Sequence, residues 1–127
     1  MIEVKGLTKT YKDVQAVNNI NFSIKKGQCF GLLGPNGAGK TTTIEIMEGI
    51  IQPTSGVVEY YGKPAASDIS QQIGIQFQNT ALQDFLTVQE TLNLFTSFYQ
   101  RTLPHEELIK LCDLQDFLDR DNRLLSG

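Results

Sequence analysis

Residues 29–47 read CFGLLGPNGAGKTTTIEIM, and the order of their chemistry decides the fold class. Cys29-Phe30-Gly31-Leu32-Leu33 is an almost continuous apolar run, which predicts a strand covered on both faces, as in a parallel sheet. Gly34 to Gly39 predicts a tight loop, because Gly34, Gly37 and Gly39 free the backbone to turn. Lys40 to about Gly49 reads as a helix, with Ile44/Met47 and Ile46/Ile50 at helical spacing. A buried strand leading through a glycine loop into a helix places the chain in the α/β class.

The loop is also a chemical motif. Gly34-Pro35-Asn36-Gly37-Ala38-Gly39-Lys40-Thr41 fits G-x-x-x-x-G-K-[ST]. Glycines let successive N–H groups point into one concavity, and a concavity on a helix N-terminus suits phosphate oxygens. In that setting Lys40 brings a point charge to the β- and γ-phosphates, and the Thr41 hydroxyl suits Mg²⁺, with Thr42 beside it. A glycine-rich turn with a surface lysine is the plain alternative. The flanking strand and helix are the context that separates the two.

Working outward, Ile2 and Val4 alternate with polar neighbours and predict a strand, followed by a less regular Leu7–Tyr11. Ile20, Phe22 and Ile24 alternate with Asn19, Asn21 and Ser23, a half-buried strand in an antiparallel setting. Lys25-Lys26-Gly27 is a turn. Pro53 and Gly56 bracket a stop, Val57 to Tyr61 is a strand closed by Gly62, and Ile73, Ile75 and Phe77 alternate as another short strand. Beyond it the pattern turns helical. Thr87 with Glu90 is a capping-box signature, and Val88, Leu92, Phe95 and Tyr99 mark one helix face. Pro104 suits the first turn of the next helix, carrying Leu108 and Leu111, and Leu114, Phe117 and Leu118 predict a third, short one.

Composition narrows the function. The chain has 127 residues, 40% of them hydrophobic and 20% charged, which fits one ordinary globular domain. A net charge of −3 argues against nucleic-acid wrapping by bulk electrostatics. No 18-residue apolar run and no apolar leader segment are present in the sequence. Two cysteines, Cys29 and Cys112, and a single histidine, His105, are too few for a disulfide scaffold or a zinc site. Cys29, inside the apolar run, reads as a buried, inert thiol.

The chain resembles the ATP-binding domain of ABC transporters along its whole length. GPNGAGKTTT is the form of the motif typical of that family. The resemblance implies a P-loop NTPase core with an antiparallel β portion and a partial helical subdomain. It places the β-rich core at about residues 1–86 and the helical subdomain at about 87–127. It makes Tyr11, in LTKTYKDVQAV, the aromatic that stacks on adenine, where the residue alone suits packing equally well. It makes Gln78, at the end of IGIQFQ, the glutamine that touches Mg²⁺ or the attacking water; an ordinary strand-end polar residue is the alternative, and Gln76 on the same strand face is the fallback. LTVQETL matches the start of the helical subdomain, and Leu125-Ser126-Gly127 matches the opening of the LSGGQ signature.

The expected ligands are therefore ATP and Mg²⁺, held by Gly34, Pro35, Asn36, Gly37, Ala38, Gly39, Lys40, Thr41 and Thr42. The expected partners are a transmembrane permease subunit and a second ATP-binding domain, at the cytoplasmic face of the membrane. EIMEGIIQPTSGVVEYYGK resembles the drug and polysaccharide exporters. The family's Walker B strand, catalytic glutamate and switch histidine lie downstream of the signature, so the chain is expected to be an N-terminal part that binds nucleotide without hydrolysing it and self-associates through its open sheet. The alternatives are a soluble ABC protein acting on ribosomes or nucleic acid, and a non-catalytic nucleotide-binding module. GTPase and small-molecule kinase readings are weaker, because no N-K-x-D motif and no arginine-rich lid appear.

Overall fold

The computed structural model describes residues 1–65, 69–76 and 84–125. The chain divides into two compact units, Met1–Ile75 and Gln76–Gly127.

The first unit is built on a four-stranded antiparallel sheet in the order β2-β1-β3-β4. The strands are β1 (Ile2–Tyr11), β2 (Val14–Ile24), β3 (Ser55–Tyr60) and β4 (Lys63–Pro64). Strand β1 runs unbroken to Tyr11, because three register shifts against β2, between Val4 and Leu7, Leu7 and Lys9, and Lys9 and Thr10, absorb its irregular stretch. Val4 pairs with Phe22 and Leu7 with Ile20, so Lys5 and Gly6 face Asn21 alone. Gly6 takes φ +58° and its N–H donates to Asn21 Oδ1 at 2.7 Å. One extra residue turns the pleat over, so Val4 and Leu7, three apart, both enter the core. Asn19, at φ +47°, repeats the device on β2 between Val17 and Ile20.

A further bulge lies between β1 and β3, where Gly56 faces both Gly6 and Leu7. The backbones cross so closely there that a Cβ on Gly56 would lie 2.3 Å from the Gly6 carbonyl oxygen.

Helix α1 (Lys40–Met47) lies against this sheet. Ile46 joins Val4, Leu7, Val17 and Val58 in the core, with Met47 and Ile51 packed around them. The inward face of α1 is Thr43, Ile46 and Met47; Ile44 and Ile50, which share the helical spacing, are exposed. The Tyr60 hydroxyl donates to the Met47 carbonyl and ties β3 to the end of the helix.

Residues 29–33 form no strand. They run as irregular chain, with Phe30 exposed and Leu33 92% exposed. An apolar run becomes a strand only where a ladder partner exists, and none pairs with it among the described residues. Phe30 stacks on Phe22, centroids 5.0 Å apart. Cys29 is accordingly exposed rather than buried. Residues 73–76 likewise form no strand, although Ile73 and Ile75 are more covered than Gly74 and Gln76; Phe77 lies outside the described residues.

The second unit is helical: α2 (Val88–Ser97), α3 (His105–Leu111) and two 3-10 turns at Gln115–Phe117 and Asn122–Leu124. Thr87 and Glu90 form the complete capping box. Val88 is the buried anchor of α2, while Phe95 and Tyr99, read as the same face, are exposed, as is Leu111 on α3. Pro104 caps α3 one position before its first turn. Val88 and Gln89 donate to the carbonyls of Arg120 and Leu118, and Asn122 to that of Leu86. These bonds fasten the 118–125 segment to the start of α2. No helix among the described residues is long and apolar enough to cross a membrane.

Candidate functional site

The glycine loop is shaped by local chemistry and by β2. The Ala38 N–H donates to the Pro35 carbonyl at 3.2 Å and closes a turn. Gly37 and Gly39 take φ +84° and +79°, conformations that L side chains rarely adopt. Gly39 is constrained a second way, since a Cβ there would lie 2.1 Å from the Ala16 carbonyl oxygen on β2. Gly37 has open space around it.

Gly39 is the N-cap of α1 and offers no side-chain acceptor, and the first turn carries no acidic residue. The opening N–H groups of a helix have no partner within it, so those of Lys40, Thr41 and Thr42 give this end partial positive charge. Thr43 is 2% exposed; its N–H and its Oγ1 both donate to the Gly39 carbonyl, at 2.9 and 2.8 Å. That pair of hydrogen bonds to one oxygen fixes the loop's exit. Lys40 bends back over the loop, Nζ donating to the Gly34 and Pro35 carbonyls at 2.8 Å each. Thr41 is exposed and Thr42 half-buried.

A groove of about 400 Å³ runs beside the loop, lined by Val17 and Asn18 of β2, Leu33, Ala38 and Lys40. A larger hollow, about 450 Å³, lies past the other end of α1 at Glu48, Ile51 and Ile69 and includes no loop residue. There burial, and then the neighbouring Glu45 charge, push the Glu48 carboxyl above its usual range. Burial, then Glu48, push the Tyr60 hydroxyl up in turn.

Tyr11 ends β1 and is 45% exposed. It pairs with Val14, two residues before the Ala16 backbone on which Gly39 rests. It therefore stands about 7 Å along the strand from the loop's anchor. Gln78, Ser126 and Gly127 lie outside the described residues. Gln76 is exposed in irregular chain, and Leu125 is half-buried, its N–H donating to the Asn122 carbonyl at 3.2 Å. The first unit thus gathers the loop, Lys40, Thr41, Thr42 and Tyr11, while Gln76 and Leu125 belong to the second.

Sequence reasoning missed two residues that shape the loop. Thr43 had a signal, since threonine commonly bonds to the carbonyl four residues back in a helix. Ala16 had none, because its role comes from packing alone. The uncapped start of α1 and the Lys40 ammonium lie at one exposed loop, with no carboxylate in the first turn, a chemistry compatible with an anionic phosphate chain.

The ABC transporter family model matches residues 17–127. "Probable multidrug ABC transporter ATP-binding protein YbhF" of Escherichia coli is 42% identical over 102 residues, 78% of this chain and 18% of that protein. The Nod factor export ATP-binding protein I of Ralstonia nicotianae is 34% identical over 100% of this chain and 42% of its own length. Among solved structures, a dimeric ATP-binding cassette in a post-hydrolysis state with ADP and Pi superposes with TM-score 0.77 at 30% identity, covering 100% of this chain and 64% of that one. A cassette from Clostridium perfringens, part of a cbiONQ transporter complex, gives TM-score 0.81 at 28% identity over 98% of this chain and 55% of that one. The chain thus spans less than half the length of either of these two curated relatives.

Proposed function

The chain belongs to the ABC transporter family, and from that premise we propose that it serves as the phosphate-gripping part of an ATP-binding subunit whose ATP hydrolysis drives transport through a membrane permease. The observation that carries the proposal is the uncapped N-terminus of α1, entered through two left-handed glycines and overhung by Lys40. In this reading Mg²⁺-ATP, when bound, supplies the phosphoryl bond whose cleavage powers the cycle.

The chain's own share follows from its residues. The amides of the loop and of Lys40, Thr41 and Thr42 hold phosphate oxygens without moving. The Lys40 ammonium exchanges the Gly34 and Pro35 carbonyls for a phosphate, a stronger, charge-assisted partner. In this reading the exposed Thr41 hydroxyl would hold the metal ion, with Gln78 as its second protein ligand. Tyr11 stacks on the base. Leu125, Ser126 and Gly127 are proposed as the part of the signature that faces the nucleotide of a second ATP-binding domain. The names of the relatives, a multidrug transporter and a Nod factor exporter, support an export role at the cytoplasmic face of the membrane.

Titration of a fluorescent ATP analogue tests the proposal. Lys40→Ala removes one charge-assisted contact, a loss of about 1.5–3 kcal/mol, and affinity should fall at least tenfold while the far-ultraviolet circular dichroism stays the same. Equal affinities of the two proteins would remove Lys40 from the site and the proposal with it.

A further inference from the structure

Lys9 lies two residues before Tyr11 on β1, so the two share one face of the strand. Its Nζ stands over the Tyr11 ring, 5.0 Å from the centroid. The same Nζ donates to the Gln52 carbonyl at 2.6 Å. Gln52 belongs to the loop that follows α1, and that loop is sewn to the same strand twice more. The Thr54 N–H donates to the Thr8 carbonyl at 2.9 Å, and the Thr10 N–H donates to Thr54 Oγ1 at 3.0 Å. The ammonium therefore does not wander over the ring as a solvated lysine would. It is tied to an anchored carbonyl.

A fixed cation on one ring face has two effects. It holds the ring's orientation, through attraction to the ring quadrupole. It also fills that face, so a planar ligand can stack only on the opposite one. We propose that Lys9 is a positioning residue for Tyr11, presenting a single ring face to the nucleobase and linking its orientation to the loop at the far end of α1. The inference rests on the reading of Tyr11 as the base-stacking residue and deepens it.

The test compares ATP with inorganic tripolyphosphate, which has no base, by calorimetric titration in about 0.15 M salt, where screening beyond ~8 Å limits the bare effect of charge. Lys9→Met should weaken ATP about two- to fivefold, the scale of one exposed cation–π contact, and leave tripolyphosphate unchanged. Lys9→Arg, which keeps the cation and a donor, should restore ATP binding. In the ligand-free protein, the methylene protons next to Lys9 Nζ should show upfield ring-current shifts that vanish in Tyr11→Ala. Equal weakening of ATP and tripolyphosphate by Lys9→Met would overturn the inference and make Lys9 a simple attractor of anions. So would a Lys9→Met protein with unchanged ATP affinity while Tyr11→Ala weakens ATP alone. If Tyr11→Ala instead weakens both ligands equally, the base-stacking reading itself fails.

Discussion

Gly39 and Gly37 make a matched pair that isolates the contact between the loop and β2. Both take φ near +80°, so alanine at either meets the same backbone cost, about 1–2 kcal/mol. They differ in what a methyl group would touch. At Gly37 nothing lies within 4 Å. At Gly39 the Cβ would be 2.1 Å from the Ala16 carbonyl oxygen, 3.2 Å from its carbon and 3.3 Å from Val17 Cγ2. The nearest atoms are backbone of a paired strand and cannot swing aside. The loop or β2 must shift by about 1 Å, an overpacking cost of roughly 1–3 kcal/mol. Gly39→Ala should therefore melt below Gly37→Ala by ~5–20 °C for a domain of this size. Should the loop lift from β2 instead, the cost appears as lost pyrophosphate affinity in Gly39→Ala alone. Thermal unfolding followed by circular dichroism, with pyrophosphate titration on the same samples, reads both outcomes. Two variants indistinguishable in melting and in affinity would refute the idea that Ala16 sets the loop's position.

Thr43→Val keeps shape and loses the hydroxyl bond to the Gly39 carbonyl; unfolding by urea should show a loss of about 1 kcal/mol, and no loss would make that bond idle. Thr87→Ala removes the α2 cap and should cost about 0.5–2 kcal/mol in the same assay. Glu90 accepts from the Thr87 N–H and Oγ1, and these bonds, the backbone one first, hold its carboxyl below the usual carboxylate range. A depressed folded value means that this stabilisation is complete above the unfolded carboxylate value of about 4.3 and is lost as pH falls through the folded one. Helicity should therefore decline in acid more in the wild type than in Glu90→Gln, and identical acid profiles would contradict this. Cys29 and Cys112 are both exposed, so a thiol reagent should label two groups in the folded chain; one fast and one protected thiol would return Cys29 to the interior.

Much of the site was legible because its parts are contiguous. Gly37, Gly39, Lys40 and Thr41 carry their geometry in their own residue types, and the Thr87–Glu90 box is likewise local. The core was harder to read. Val4 and Leu7 stand three apart, a spacing that alternation assigns to opposite faces, and only the bulge at Gly6 reconciles them. A bulge is a property of two strands, so it cannot be seen in one. The same limit explains residues 29–33. Their apolarity was plain, but a ladder needs a partner, and apolar character alone does not supply one. The Ala16 contact with Gly39 joins positions far apart in the chain and leaves no mark on either residue type.

The crossing of Gly56 over Gly6 has a consequence for how the sheet assembles. Long hairpin-like pairings can settle one or two residues out of step, and a slipped sheet buries the wrong face. Here a slip in either direction would bring Ser55 or Val57 over the Gly6 carbonyl, into a gap where even a methyl group would stand 2.3 Å from oxygen. Mispaired forms are thus rejected by collision before their side chains can compete. The search for register narrows to the one alignment in which Gly56 of β3 meets Gly6 of β1.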